Sequence, residues 1–158
     1  MKLYASIYIG SYEIILKVFQ ITQKKRLKEL DCLRTPIDTA QDIYASGQLK
    51  KETVDRICNV LEDMKRTLAL YRLTEDYQIY AGSTFTAADN RLFAMEQIKL
   101  RTGMKVLALS NSEHRFMSYR AVASQDNFDA MVSESAAIVD IGGASTELVT
   151  GTGAQATS

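Results

Sequence analysis

The feature that most constrains the fold of this chain is a change in the spacing of its apolar residues near residue 50. Before that point, 2–9 and 12–22 are rich in β-branched and aromatic side chains, which is typical of strands. Gly10 and Ser11 lie between them as a hairpin signal, and 26–34 can supply a third strand. Because short turns join these segments, the strands must be antiparallel. The chain is therefore expected to begin as a β-meander.

From residue 50 onward, the pattern predicts an alternation of helices and strands. Over 50–73 apolar side chains recur at the spacing of an amphipathic helix. Beyond it we predict a strand at 76–82, a helix at 89–103 closed by Gly103, a strand at 105–110, a helix at 112–124 and a buried strand at 135–143. Such alternation implies a mainly parallel central portion with helices covering its faces. The sequence therefore predicts an α/β fold with a mixed, ribonuclease H-like sheet.

Composition excludes several classes of protein. The chain has 19 basic and 19 acidic residues, so no net charge points to nucleic acid or a membrane as a partner. Its apolar runs are far shorter than the roughly 20 residues that a membrane span needs. The first residues, MKLYASIYIG, do not resemble a signal peptide, so we expect a cytoplasmic protein. Cys32 and Cys58 lack metal-ligand spacing, and with His114 as the only histidine a Ser/His/Asp triad has little support.

The length of 158 residues suits one domain. The segment 145–158 reads as a strand, a Gly-rich turn and the start of a returning strand. A sheet edge left unfinished invites aggregation, and natural chains usually avoid it. We therefore expect 1–158 to be a domain of a longer protein.

The stretch IVDIGGASTELV at 138–149 carries the clearest functional pattern. Gly142 and Gly143 permit close backbone approach, so that successive N–H groups can converge on a phosphate. Ser145 and Thr146 add hydroxyl donors. The alternative is a two-glycine hairpin whose hydroxyls lie at the surface. The acidic residues that frame the glycines make the pattern rarer than an isolated turn, and they favour phosphate.

Those acidic residues are Asp140, at the end of the predicted strand, and Glu147. Asp140 could hold Mg²⁺ directly or through water, since hard cations take carboxylate oxygens. Glu147 could help to hold the ion or position a water. The sequence thus predicts a metal and phosphate loop at 140–147, which we call the second loop.

Four segments of the chain resemble, in order, motifs of the exopolyphosphatase and guanosine pentaphosphate phosphatase family (Ppx/GppA), within the actin-like ATPase superfamily. DIGGASTELV at 140–149 is similar to the family's second phosphate loop, DIGGGSTEL. ASIYIGSYEIILKVF at 5–19 falls where the family has its first loop, AxIDxGSNSxRL. YAGSTFTAADN at 80–90 falls where it has ATSALRDAxN, and LSNSEHRF at 109–116 where it has ISGxEEARL. Residues 8–13 are called the first loop below.

The resemblance implies Mg²⁺-assisted hydrolysis of terminal phosphoanhydride bonds in polyphosphate or guanosine pentaphosphate. The site would lie in a cleft between two actin-like domains, of which this chain is the first and a second domain of the same chain is the partner; a homodimer is left open. The resemblance also places the general base on Glu113, with Glu147 assisting it. The implied phosphate-binding residues are Gly10, Ser11, Gly142, Gly143, Ala144, Ser145 and Thr146, and the metal ligands are Asp140 and Glu147.

Glu113 has a second interpretation from the residues alone. Ser110 and Glu113 have the spacing of a capping box at the start of the helix predicted at 112–124. A capping role and a catalytic role can coexist in one carboxylate.

The chain departs from the family pattern at several positions. Tyr8 stands where the first loop carries Asp, and Tyr12 where it carries Asn. Thr86 replaces a phosphate-binding Arg, and Ala144 replaces the third Gly of the second loop. A phenol is a poor Mg²⁺ ligand, and Thr cannot form a bidentate cationic clamp.

Three functions therefore remain open from the sequence. The first is a phosphoanhydride hydrolase. The second is a catalytically weak or inactive family member that binds phosphate or nucleotide and acts as a regulator. The third is a kinase or ATPase of the wider superfamily. It is less favoured, because the segment 112–115 resembles the phosphatase branch.

Overall fold

The computed structural model describes most of the chain, and its residues form two compact units. The described residues are 2–23, 26–124, 135–143 and 146–152. The first unit is Met1–Leu109 and the second is Ser110–Ser158. The assignment of 1–158 to a single actin-like domain stays a prediction.

A five-stranded mixed sheet forms the centre of the first unit. Its strands are β1 (Lys2–Ile9), β2 (Glu13–Ile21), β3 (Leu27–Pro36), β4 (Tyr77–Ala81) and β5 (Val106–Ala108). The spatial order is β3-β2-β1-β4-β5. β2 runs antiparallel to both β1 and β3, whereas β4 runs parallel to both β1 and β5. The predicted ribonuclease H-like sheet with its antiparallel meander is confirmed.

In the described part of the first unit, four helices accompany this sheet: α1 (Thr39–Ser46), α2 (Lys51–Leu70), α3 (Ser83–Thr86) and α4 (Arg91–Thr102). The helices predicted at 50–73 and 89–103 are confirmed with slightly shorter bounds. Gly103 ends α4 in the left-handed conformation, with φ of 73°, as its position after the last apolar residue predicted.

The sequence did not predict α1 or α3. The helix α1 lies in a polar stretch with little apolar periodicity, yet both of its ends are well specified. The Asp38 carboxylate accepts a hydrogen bond from the Gln41 N–H, and Gly47 ends the helix with φ of 71°. With only four residues, α3 is too short for any periodicity to show.

The core of the first unit is built from alternating side chains of the sheet and one face of α2. On β1, Ala5, Ile7 and Ile9 are fully buried, as the period of two requires. Ile57 and Leu61, one turn apart on α2, are also fully buried. Burial of each such aliphatic side chain stabilises the fold by about 1.5–3 kcal/mol.

The parallel strands bring together the segments that follow them. Ile9 pairs with Ala81, and Ala81 pairs with Ala108. The carboxyl ends of β1, β4 and β5 therefore meet at one edge of the sheet. The first loop and the residues that follow β4 lie at this edge, where ligands of α/β sheets usually bind.

The second unit contains α5 (Asn111–Ala123), β6 (Ser135–Ile141) and β7 (Thr146–Thr152). β6 and β7 pair antiparallel in a separate two-stranded sheet, from Ser135 opposite Thr152 to Ile141 opposite Thr146. A strand at 135–143 is thus confirmed, but its predicted burial is wrong. Val139 is 55% exposed and Ile141 is 77% exposed, because a two-stranded ribbon cannot enclose both of its own faces.

The prediction of a Gly-rich turn near the end of the sequence is wrong at Gly151. Gly151 lies within β7 and pairs with Ala136, so the strand continues through it. The returning strand predicted after that turn lies outside the described residues. No helix in the described ranges combines the length and the apolar character needed to cross a membrane.

Candidate functional site

The first loop is a tight turn whose carbonyl groups are held from behind by α1. The Gly10 N–H donates to the Glu13 carbonyl at 2.9 Å, which closes the hairpin over four residues. The Thr39 hydroxyl donates to the Gly10 carbonyl at 3.0 Å. The Thr39 and Ala40 N–H groups both donate to the Ser11 carbonyl. With its carbonyls engaged on one side, the loop is fixed against α1.

The opposite side of this loop presents hydrogen-bond donors. Within the described residues, the N–H groups of Ser11 and Tyr12 have no backbone or side-chain acceptor. The Ser11 and Thr84 hydroxyl oxygens lie 2.6 Å apart in a hydrogen bond, although Ser11 and Thr84 are 73 residues apart in sequence. Predicted phosphate-binding residues Gly10 and Ser11 therefore stand beside Thr84, at the carboxyl ends of β1 and β4.

The Tyr8 ring lies across the same edge. A Cβ atom placed on Gly82 would overlap the Tyr8 hydroxyl oxygen and lie 2.9 Å from Cζ of the ring. A Cβ on Gly10 would lie 3.3 Å from Cε1 of the same ring. The ring thus spans from the turn after β1 to the turn after β4, and any side chain at residue 82 would force the ring to move. A phenol occupies the place where the resemblance led us to look for a carboxylate.

Two polar side chains of the first unit, those of Glu13 and Thr86, bind partners away from the first loop. The Glu13 carboxylate pairs with Arg34 at 2.7 Å across β2 and β3. The Thr86 hydroxyl donates to the backbone carbonyls of Gly82 at 3.0 Å and Leu109 at 3.2 Å. Thr86 therefore links the ends of β4 and β5, and it supplies no cation where the family has Arg.

The second loop is a hairpin turn between β6 and β7. Its first and last paired residues are Ile141 and Thr146, and Asp140 lies opposite Glu147 in the next pair. Gly142 and Gly143 are exposed, whereas Ala144 and Ser145 lie outside the described residues, as does the side chain of Glu147. The hairpin of the alternative interpretation is present, and the phosphate-binding role of its residues stays a prediction.

The Asp140 carboxylate is half-buried and accepts a hydrogen bond from a described residue of its own unit. The Ser118 hydroxyl on α5 donates to Oδ2 of Asp140 at 2.6 Å. Nowhere in the described ranges do three or more His, Cys, Asp or Glu side chains gather as a metal site would require. The role of Asp140 as a Mg²⁺ ligand stays a prediction, and a neutral phenol such as that of Tyr8 is a poor ligand for the ion in the first loop.

Glu113 forms the predicted capping box of α5. Its N–H donates to the Ser110 hydroxyl oxygen at 3.2 Å, and its carboxylate accepts from the Ser110 N–H at 2.8 Å. The Ser110 hydroxyl also donates to this carboxylate at 2.8 Å. The hydrogen bonds from the Ser110 backbone and hydroxyl hold the pKa of Glu113 below its ordinary value. The capping role is confirmed, and the role as general base stays a prediction.

The sequence matches the family model described as the Ppx/GppA phosphatase family over residues 17–158. The chain belongs to the Ppx/GppA phosphatase family. The match begins inside β2, so it does not include the first loop with Tyr8 and Tyr12.

Solved structures of Ppx/GppA proteins share the fold. The family member from Aquifex aeolicus superposes with a TM-score of 0.79 and 25% identity, over 96% of this chain and 47% of that one. An exopolyphosphatase from Cytophaga hutchinsonii superposes with a TM-score of 0.85 and 17% identity, over 98% of this chain and 48% of that one. The chain thus spans about half the length of these proteins.

A relative of known sequence combines a phosphatase with a second enzyme. The bifunctional 3-dehydroquinate synthase/phosphatase of Fusobacterium nucleatum is 25% identical over 156 residues, which cover 93% of this chain and 23% of that protein. The family assignment made from the four motifs is therefore confirmed by sequence and by fold.

Sequence reasoning missed two residues of these sites. Thr84 could have been found, because residues that follow parallel strands share an edge, and Thr84 comes shortly after β4. Ser118 could not have been found, since no spacing rule links a position on α5 with Asp140 on β6.

Proposed function

We propose that this protein is part of a phosphatase that releases the terminal phosphate of a phosphoanhydride, either polyphosphate or guanosine pentaphosphate. The observation that carries the proposal is membership of the Ppx/GppA phosphatase family over residues 17–158. The shared fold with an exopolyphosphatase agrees with it. The water that attacks the phosphorus atom would displace the remaining phosphate chain as the leaving group.

Glu113 is the proposed general base. Because its pKa is held below the ordinary value, its carboxylate is ionised near neutral pH and can accept a proton from water. Such a carboxylate is a weak base, which suits phosphoryl transfer because most of the bond to the leaving group breaks before the nucleophile attacks. The capping box fixes the position of the carboxylate at the start of α5.

The two loops are the proposed phosphate-binding elements. In the first unit, the N–H groups of Ser11 and Tyr12 and the hydroxyls of Ser11 and Thr84 support this role. In the second unit, Gly142 and Gly143 lie exposed in the turn. The proposed ligands of Mg²⁺ are the carboxylates of Asp140 and Glu147. Bound there, the ion would neutralise charge on the phosphates.

A second part of the same protein is the proposed partner, since the solved relatives are about twice as long as this chain. The exposed apolar side chains of β6 and β7, which include Ile141 and Leu148, offer it a surface. A homodimer and a cytoplasmic location stay predictions.

A second candidate function is phosphate or nucleotide binding without turnover. It is favoured by the Tyr8 ring at the edge of the first unit and by Thr86, which faces backbone carbonyls. Loss of one charge-stabilising group commonly lowers a rate by about 10²–10³. A regulator that binds polyphosphate could retain the fold with both changes.

The test is phosphate release from polyphosphate and from guanosine pentaphosphate by the full-length protein in the presence of Mg²⁺. The Glu113→Gln variant keeps an amide oxygen that can accept from the Ser110 N–H, so the cap of α5 survives while the base is removed. We expect its kcat to fall by about 10²–10⁴. Glu96→Gln on the exposed face of α4 makes the same chemical change and is expected to keep full activity.

Three results would separate the candidates. Activity that survives in Glu113→Gln would exclude this residue as the base. Measurable polyphosphate binding without phosphate release by the unsubstituted protein would favour the regulator. Absence of both binding and release would exclude both candidates.

A further inference from the structure

We propose that the first unit binds a phosphate-type anion through neutral hydrogen-bond donors alone, without a divalent metal ion. The binding surface, called the hydroxyl edge below, consists of the hydroxyls of Ser11 and Thr84 with the N–H groups of Ser11 and Tyr12, beside the Tyr8 ring. The inference rests on the phosphate-binding role proposed above, and it states how this half of the site achieves that role.

Within the first unit, the carboxylates of the first loop and α1 are engaged with other partners. Glu13, nearest in sequence, is paired with Arg34 at 2.7 Å. Asp38 accepts a hydrogen bond from Gln41 as the cap of α1. Asp42 is 3% exposed and accepts from the Lys50 N–H at 2.8 Å. Since Mg²⁺ requires several hard oxygen ligands, with carboxylates among them in most protein sites, this edge does not fit the ion.

The Tyr8 ring also fills the space in which such a carboxylate would stand. It extends from beside Gly10 to the Cα atom of Gly82, where a Cβ atom could not be accommodated. A neutral phenol is a donor and a weak acceptor, and it carries no charge to balance a cation. The pairing of a large ring with a glycine 74 positions away shows that the edge is packed around Tyr8 rather than around an ion.

The donors of the hydroxyl edge suit a ligand that only accepts hydrogen bonds. The Ser11 and Thr84 hydroxyls share one hydrogen bond, which uses one of their two protons, so the other proton is available to a ligand. The N–H groups of Ser11 and Tyr12 add two donors without an acceptor in the described part of the chain. Oxygen atoms of a phosphate or pyrophosphate accept from such groups, as in other backbone anion sites.

The test measures binding of inorganic pyrophosphate to the full-length protein by isothermal titration calorimetry. Both series use the full-length protein with Asp140→Asn and Glu147→Gln, which removes the two carboxylates proposed above to hold Mg²⁺. One series contains EDTA and the other contains Mg²⁺, with each point corrected for pyrophosphate that is bound to Mg²⁺ in solution. We expect the two dissociation constants to agree within about threefold. Thr84→Val removes one hydroxyl at constant shape and is expected to weaken binding by about tenfold in EDTA. Thr67→Val on α2 is the matched control and is expected to bind as the unsubstituted protein does.

Two results would overturn the inference: binding that strengthens more than tenfold when Mg²⁺ replaces EDTA, and a Thr84→Val protein that binds with unchanged affinity. Phosphate release without pyrophosphate binding in EDTA would overturn the inference and leave the proposed hydrolysis in place. Metal-independent binding without phosphate release would support the inference and exclude the hydrolysis. The two proposals can therefore fail separately.

Discussion

Asp42 is a buried residue whose carboxylate remains charged. It lies in α1, and its Oδ2 accepts a hydrogen bond from the Lys50 N–H at 2.8 Å, while Oδ1 lies 3.3 Å from the Lys50 Nζ. Burial raises its pKa, but hydrogen bonds from Thr53 and from Lys50 outweigh burial and hold the pKa below its ordinary value. Lys50 offers no side-chain cap to α2, and the carboxylate of Asp42 binds the N–H of this N-cap residue from a neighbouring helix.

We predict that Asp42→Asn destabilises the protein by about 1–3 kcal/mol at pH 7, because it weakens bonds to a buried charged acceptor. A lowered pKa stabilises the folded state above the unfolded-state value of about 3.9, and that contribution is lost as the pH falls through the folded-state pKa. The difference in stability between the two proteins should therefore shrink below about pH 4. Urea unfolding followed by circular dichroism between pH 3 and pH 7 measures it.

Asp63→Asn is the control, since Asp63 is 72% exposed and pairs with Arg66 on the surface of α2. Such pairs contribute little, so a change of less than about 1 kcal/mol is expected. A pH-independent difference between Asp42→Asn and the unsubstituted protein would contradict the assigned ionisation of Asp42.

Among single residues, the sequence was most informative where chemistry is local. The spacing of Ser110 and Glu113 identified a capping box, and both of its hydrogen bonds are present. The departure of Tyr8 from the family pattern stays a prediction, since the family match begins at residue 17. The contact of Tyr8 with Gly82 was not foreseen, because Gly82 follows a different strand and only strand pairing brings the two together.

The segment before α2 is held by a residue 41 positions away in sequence. The Leu49 N–H donates to Oδ1 of Asn90 at 2.9 Å, and Nδ2 of Asn90 donates to the Leu49 carbonyl at 2.9 Å. Asn90 itself lies at the start of α4. One amide side chain thus joins the segment before α2 to the start of α4.

We predict that Asn90→Ala destabilises the first unit by about 1–3 kcal/mol, since it leaves two backbone groups beside the buried Leu49 without partners. Amide hydrogen exchange should quicken first in the opening turn of α2. Asn59→Ala, on the exposed face of α2, is the control and is expected to change stability by less than about 0.5 kcal/mol. Equal effects of the two substitutions would show that the Asn90 bridge contributes nothing.

Helices and strands with strong periodicity were predicted to within a few residues. The helix α2 was predicted at 50–73 and is found at Lys51–Leu70. The helix α1 was missed, because its stability depends on caps at Asp38 and Gly47 rather than on an apolar stripe. Burial of β6 was predicted from its apolar composition and is wrong, because burial depends on what packs against a strand.

Buried apolar side chains are distributed unevenly between the two units. All hydrophobic side chains that are buried in the described residues fall between Ala5 and Leu109, within the first unit. None of the residues of α5 is buried. The first unit therefore contains a complete core and a complete five-stranded sheet.

We predict that a fragment of residues 1–109 folds by itself. It should show a dispersed amide spectrum and a single cooperative unfolding transition, since its core needs no residue from the second unit. A fragment of residues 1–75 keeps β1 to β3 and α2 but lacks β4 and β5, and it is expected not to unfold cooperatively. A collapsed spectrum for 1–109 would show that the second unit is required for the core.

By itself, the sequence determined the alternation of strands and helices, the family and the composition of both loops, because these depend on local periodicity and on residue identity. Tertiary structure decided which residues share an edge. Parallel pairing of β1 with β4 placed Thr84 beside Ser11 and gave the Tyr8 ring the space above Gly82. These contacts join residues more than 70 positions apart, and no local pattern encodes them. The chemistry of the first loop therefore became clear only once the sheet was assembled.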